Sequence, residues 1–487
     1  MATSAPIEIQ QHPSATGNES HHFALFAFLW AVALLAHQIQ YRDTFRSPFD
    51  VALTGSALFT LLNPYSAWRL LAATGFHVLA VIHHLPDVFN HWFFAGLDSL
   101  AFVLVAATVL IRSRRLEPAD LFGSFAFAAR LNLICLYYFS ALHKLNSDYF
   151  TPAVSCGGMT YGQLRETLPF LPASDTALLM ATYSGALMEL TLPTLLLTRR
   201  WRRLAVVLGL FFHLCLGLMS YARFSVIAYA LLALFLPELG NGMKRVAAAL
   251  SRNAPLQAAL SWLHARNWLL IVLFFALAIV LRNTTGRAEV LANRFGNFAA
   301  HLTFLFFLAE SAVLMVAALR VLRQFELDRA PQFGLAPTLQ SGLLATALLV
   351  LSGLSPYLGL KTMNTFAMYS NLRTESGATN HFFLPAGWQQ FPYQREMVDI
   401  VETNIASLQA VVEKDMLIPY QQLRNEITRE MKMGRKGIRV VFLRNGQTIT
   451  VANAENHPQL GVPVNAFAYK FLTFRAVEKS GGRVCTY

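Results

Sequence analysis

"FGSFAFAARLNLICLYYFSALHKLNSDYF" occupies residues 122–150. Residues 122–142 are predominantly apolar, and about 20 such residues in a helix cross roughly 30 Å of hydrocarbon. The stretch therefore reads as a membrane span. It ends at His143-Lys144 and turns polar at once, with Asn146 and Asp148. A lysine at the mouth of a span needs a reason.

The rest of the chain has the same character. It has 487 residues, 55% of them hydrophobic and 14% charged, where a soluble domain carries about 25% charge. Mean hydropathy is +0.43. Candidate spans are 22–40, 65–86, 93–111, 122–142, 176–198, 204–221, 224–238, 267–282, 299–320 and 338–356. Segment 48–63 is apolar but bounded by Pro48 and Pro64, so it is either a short span or an interfacial helix. The runs are continuous and do not alternate with period two, which excludes a transmembrane barrel. The fold class is an all-α polytopic helix bundle of about ten spans over 22–360, after a disordered N-terminus at 1–21.

The net charge of +12 suits short loops that fix topology and requires no nucleic acid. Arg112, Arg114, Arg115, Arg199, Arg200, Arg202, Arg203, Lys244, Arg245, Arg320 and Arg323 fall in alternate loops. By the positive-inside rule those loops are cytoplasmic. Loops 87–92, 143–175 and 283–298, and everything after 356, then face outward. Residues 1–21 hold no Lys or Arg, so no signal peptide with a basic start is visible. Asn283-Thr284-Thr285 is an outward sequon, meaningful only in a eukaryote.

Composition changes near 361, and residues 361–487 read as a small α+β domain outside the membrane. Residues 393–432 read as helix, with apolar positions three and four apart. "IRVVFLRNGQTITVA", 438–452, reads as a hairpin about Asn445-Gly446, a type I′ signal. Cys156 and Cys485 both fall outside. They form either a disulfide permitted by an oxidising exterior or two free thiols.

Ionisable groups within spans are costly and prompt functional hypotheses. Asp98, Lys144, Glu189, His213, Arg223 and Glu310 lie in or beside spans, and His83, His84 and His91 border the outer face. Arg223 reads as a snorkelling side chain. Asp98 and Glu310 read as pairing or hydrogen-bonding within the bundle. Lys144 has two readings: a snorkelling lysine, or one beside an apolar wall that disfavours its charged form and leaves an amine able to act as a base. No HExxH, Walker A or GxSxG motif is present, and no metal is expected. His301 reads as a packed histidine. In "MYSNLRTESGATNHFFLP", 368–385, Arg373, Asn380 and His381 either bind a polar or acidic substrate or belong to a connector.

"YYFSALHKLNSDYF" (137–150) resembles the lysine motif of the vitamin K-dependent γ-carboxylase family, within the wider horizontally transferred transmembrane domain. "FNHWFFAGLDSLAF" (89–102) resembles its Asn-His segment. "MELTLPTLLLTRRWRRLAVVLGLFFHLCLGLMSYARFSVIAYALLALFLP" (188–237) resembles the acidic span, basic turn, Phe-His helix and Phe-Ser-x-x-x-Tyr helix that follow. The resemblance covers roughly residues 20–240. It implies a carbon–carbon lyase. In such an enzyme a neutral lysine deprotonates a reduced naphthoquinone of vitamin K or menaquinone type. Oxygen addition then generates a strong base, and a glutamate carbanion on an exported peptide takes up CO2. Carried over by position, Lys144 is the base, His91 and His213 position groups or handle protons, and Asn90, His143 and Phe212 hold the quinone. His143 stands where the family usually has a first lysine, and Tyr149 where it has tryptophan. The implied setting is a bilayer, with the bacterial inner membrane first, and Lys144 and the tail on the extracytoplasmic side. The alternative is a non-catalytic relative, a transporter or an assembly factor, which Asp98, Glu189 and Glu310 along one polar path would favour.

Overall fold

The computed structural model describes residues 15–41, 43, 46–266, 269, 273, 287–323, 339–479 and 485. The helices of the first three-quarters are α1 (Ala15–Gln40), α2 (Pro48–Leu62), α3 (Ala67–His84), α4 (Asn90–Ser113), α5 (Pro118–Lys144), α6 (Cys156–Thr167), α7 (Asp175–Leu197), α8 (Arg202–Leu216), α9 (Ala222–Ala233), α10 (Gly240–Arg252), α11 (Ala254–Ala265), α12 (Arg287–Leu322) and α13 (Leu339–Leu358). Prolines at the first turns of α2 and α5 suit positions whose N–H has no helical partner.

Six helices among the described residues are long and apolar enough to cross a membrane: Glu19–Gln40, Asn90–Ser113, Pro118–Lys144, Arg202–Met219, His301–Leu322 and Ser341–Leu358. The chain is a multi-pass membrane protein. The expected count of about ten is not confirmed by these six described helices. Helices fill 65–86 and 176–198, but α3 and α7 are not among the six. The expected span 224–238 holds only the twelve-residue α9. Segment 48–63 is the short apolar α2. Apart from Leu269 and Leu273, span 267–282 lies outside the described residues, as do the sequon at Asn283 and residues 1–14. Residues 15–21, read as disordered, begin α1.

The core is built on α1, whose apolar window is 78% buried. Phe26 meets Trp30 at 5.4 Å and Phe125 at 4.9 Å, and Phe125 meets Phe102 edge-on at 5.1 Å. Such aromatic pairs contribute beyond the area they bury. α5 and α7 run antiparallel, as Tyr138 bonds Thr194 while Tyr149 bonds the Thr182 carbonyl. α8 and α9 are joined by a π-helical turn, Gly217–Tyr221. A β-carbon on Gly217 would sit 2.1 Å from Phe307 Cζ, so glycine is required there by close approach.

The tail holds one antiparallel sheet in the order β4-β3-β1-β2-β5, where β1 is Met397–Thr403, β2 Met416–Pro419, β3 Val440–Arg444, β4 Gln447–Val451 and β5 Val477–Glu478. α14 (Ala406–Glu413), α15 (Tyr420–Lys432) and α16 (Ala466–Phe471) complete it. The β3–β4 turn falls at Asn445 (φ 50°) and Gly446 (φ 78°), the two positive-φ positions a type I′ turn needs. The helix expected over 393–432 is corrected to β1, α14, β2 and α15. In β1 and β2 the inward residues Val398, Ile400, Met416 and Ile418 recur every second position, the strand period. Leu408, Val411 and Val412 on α14 and Leu423, Ile427 and Met431 on α15 keep helical spacing against the same core.

The segment between α13 and β1 straps this unit to one end of the bundle. Phe382 N donates to Leu145 O at 3.0 Å and Ser147 N to Asn380 O at 3.1 Å. Thr362 N donates to Thr473 O at 3.0 Å, and Arg475 pairs with buried Glu375 at 3.0 Å. The Lys144 end of α5 therefore faces the tail.

Candidate active site

Lys144 closes α5, with Ser140 one turn earlier on the same face. Lys144 Nζ donates to Ser140 Oγ at 2.9 Å and to Glu189 Oε2 of α7 at 2.6 Å. Ser140 Oγ donates to that same Oε2 at 2.9 Å. The two charged side chains are 7% and 12% exposed, so this is an ion pair largely shielded from solvent. One of the two sequence readings put an apolar wall around a neutral amine, the other a snorkelling lysine. The structure instead puts a carboxylate against the lysine, which offsets the cost of a lone charge at this depth. The ring of Tyr149 lies 5.9 Å from Nζ. Burial, then the Glu189 charge, push the Tyr149 hydroxyl up, so it stays protonated.

The pair opens on a cavity of about 1000 Å³. Its walls are largely apolar, with Leu136, Met188, Phe212, Leu216, Met219 and Phe224 among them. Met180 of α7 and Phe211 of α8 also line it, yet are 68% and 55% exposed. The cavity therefore reaches the flank of the bundle through apolar surface.

Of the residues carried over by position, Lys144, His91, Asn90 and Phe212 line this cavity. Asn90 Oδ1 accepts from Phe366 N at 3.1 Å, which commits its carbonyl to the strap. Among the described residues nothing hydrogen-bonds His91 Nε2, although that atom is buried. His213 is fully buried behind the wall and shares a 2.7 Å hydrogen bond with the hydroxyl of Tyr137, which does line the cavity.

Three assignments need correction. His143 is not in the cavity wall. One residue along a helix turns a side chain about 100°, and its Nε2 meets Gly353 O at 3.0 Å. Arg373, Asn380 and His381 do not line the cavity and belong to the strap. Asn380 Nδ2 donates to Asp148 Oδ2 at 2.9 Å and to Asn371 O at 2.8 Å, and its Oδ1 accepts from Arg373 N at 2.8 Å. His381 Nε2 lies 2.9 Å from Leu142 O. Arg223, read as snorkelling, lines the cavity, its guanidinium 4.2 Å from the centre of the Tyr41 ring.

Cys156 opens α6, lines the cavity and is bonded to Cys485 with an S–S distance of 2.08 Å. Ser155 caps that helix by accepting from Gly158 N at 3.3 Å. Glu189 was visible in the sequence as an ionisable residue in a span, but its partner was not. Tyr41 carried no signal at all. Among the described residues no cluster of His, Cys, Asp or Glu could hold a metal.

No known family model matches the chain, no curated protein matches it, and no solved structure matches it.

Proposed function

We infer that the protein is a membrane enzyme in which the Lys144–Glu189 pair moves a proton to or from a lipid-soluble substrate. The observation that carries this is a 2.6 Å lysine–carboxylate contact in the wall of an otherwise largely apolar cavity. Two groups that exchange a proton, kept from bulk water, form an acid–base unit.

The resemblance names the substrate class, a reduced naphthoquinone. The residues fit it. A cavity of about 1000 Å³ lies at the upper end of ligand-site volumes. Phe212 and Phe224 offer faces for a flat ring, and Ser140, Lys144 and Glu189 offer polar partners for its oxygens. When bound, such a quinone supplies, with O2 and CO2, oxidative carboxylation of an exported peptide. The chain's own part is narrower. Glu189 holds Lys144 and Ser140 on one oxygen and takes the proton that frees the amine. Tyr137, braced by His213, is a second donor at the wall. The apolar lining excludes water.

The alternation of basic loops along the sequence supports an orientation with Lys144 and the tail on the extracytoplasmic side, and the resemblance supports a bacterial inner membrane as the setting. The transporter reading asked for three acidic residues on one path. Only Glu189 lines the cavity, and Asp98 is bonded to Asn132 at 2.8 Å inside the bundle.

The test is quinone epoxide formation by purified protein in lipid nanodiscs with reduced menaquinone, O2 and bicarbonate. Epoxide from wild type and its absence from Lys144→Ala support the reading. Equal epoxide from both defeats the role of Lys144, and none from wild type defeats the quinone.

A further inference from the structure

The cavity has a second charged feature that the Lys144–Glu189 pair does not use. Lys144 and Glu189 cancel, leaving Arg223 as the uncompensated charge of the lining. Among the described residues no carboxylate pairs with Arg223. It stands in the first turn of α9, where the helix dipole opposes a cation. Its contact with the face of Tyr41 offsets only part of the cost of a charge at this depth.

What surrounds Arg223 favours an anion. His91 lines the same cavity with its buried Nε2 unpartnered among the described residues. Phe89, Asn90 and His91 all line it, so the N-terminal turn of α4 abuts the space. Helix N-termini present N–H groups and a positive potential to anions. The hydroxyl-bearing Tyr41 adds a further polar group at the wall.

We propose that Arg223, Tyr41, His91 and the start of α4 form a subsite for the singly charged anionic group of an amphiphile whose apolar body lies along the cavity. One uncompensated cation matches one negative charge, as in a carboxylate or a phosphodiester. The apolar walls and the exposed flank at Met180 and Phe211 take the hydrocarbon. The subsite shares the cavity of the proposed acid–base pair but does not depend on proton transfer by it.

The test is binding of radiolabelled oleate to the protein in phosphatidylcholine nanodiscs, with protein-free discs as background. Wild type is expected to bind saturably, with unlabelled oleate displacing the label and oleyl alcohol failing to do so. Arg223→Gln is expected to weaken binding about tenfold or more, the scale of a lost charge-assisted hydrogen bond, and Arg223→Lys to keep part of it. Arg223→Lys retains the charge and guards against reading misfolding as lost binding. Phosphatidylglycerol doped into the discs separates the sources. Displacement supports the subsite with a membrane phosphodiester as occupant, and no displacement supports it with a free carboxylate. The double variant Lys144→Met/Glu189→Leu removes the acid–base pair and leaves Arg223 the net charge, so it is expected to lose epoxide formation and keep oleate selectivity. Displacement by oleyl alcohol equal to that by oleate, or wild-type affinity in Arg223→Gln, overturns the subsite.

Discussion

Ser140 and Lys144, one turn apart on α5, both donate to the same oxygen of Glu189, at 2.9 and 2.6 Å. Removing the carboxylate therefore strands an ammonium that is only 7% exposed. Glu189→Gln is expected to lower stability by about 3 kcal/mol, the usual effect of breaking a buried pair from one side. Lys144→Met/Glu189→Leu together is expected to cost much less. Thermal unfolding in detergent decides it, since a double-variant loss as large as the sum of the Lys144→Met and Glu189→Leu losses would mean that the pair carries no coupling.

Tyr137 and His213 make a second test. Both are buried, and the Tyr137 hydroxyl is the partner of His213 Nε2. Tyr137→Phe and His213→Phe are each expected to cost about 1–3 kcal/mol, because either leaves a buried polar atom unmatched. The double variant should fall well short of their sum. Additive losses in a double-mutant cycle would show that the 2.7 Å contact contributes nothing.

Lys361, beyond the last span, donates to Ser352 Oγ and Asn364 O and lies 5.0 Å from the Phe93 ring centre. Burial pushes its amine down to about 8 from 10.5. The unfolded chain then binds more protons than the folded one between those values, so stability rises with pH across that window. The gain from pH 7 to above 10.5 is about 3 kcal/mol. Lys361→Met is expected to flatten that rise relative to wild type, and parallel pH–stability curves would contradict the assignment.

The cysteines give a direct chemical count. Cys135 and Cys215 are free, and Cys156 is joined to Cys485. Maleimide in denaturant is expected to label two thiols before reduction and four after it. Four before reduction would show that the bond is absent.

Gly217 gives the sharpest steric prediction. Any β-carbon there meets Phe307 at 2.1 Å. Gly217→Ala is expected to destabilise the α8–α9 connection by about 1–3 kcal/mol, the range for overpacking. Phe307→Leu in the same chain is expected to restore part of that loss, and no restoration would locate the strain elsewhere.

Much of this was legible in the sequence. The apolar runs of α1, α4, α5 and α8 announce themselves by length, and Asn445-Gly446 fixes the tail hairpin. The strands in 393–432 were missed because short apolar strands beside amphipathic helices mix both periods in one window. Lys144 stood out as a charge at a span end, while its partner Glu189 lies 45 positions away. Only the antiparallel pairing of α5 with α7 brings them together. Arg223 was read as a side chain reaching for water because nothing local reveals that Tyr41 and a cavity lie beside it. The strap residues Asn380 and His381 were polar for a structural reason that appears only once the tail docks.

The Cys156–Cys485 bond closes a ring through a residue that lines the cavity. During synthesis every other part of that lining, from Tyr41 to Tyr369, has left the ribosome long before residue 485. The tether between this wall and the tail therefore forms only after residue 485 has emerged and a thiol oxidant has acted. A nascent or reduced chain can insert its helices into the bilayer and still lack this tether.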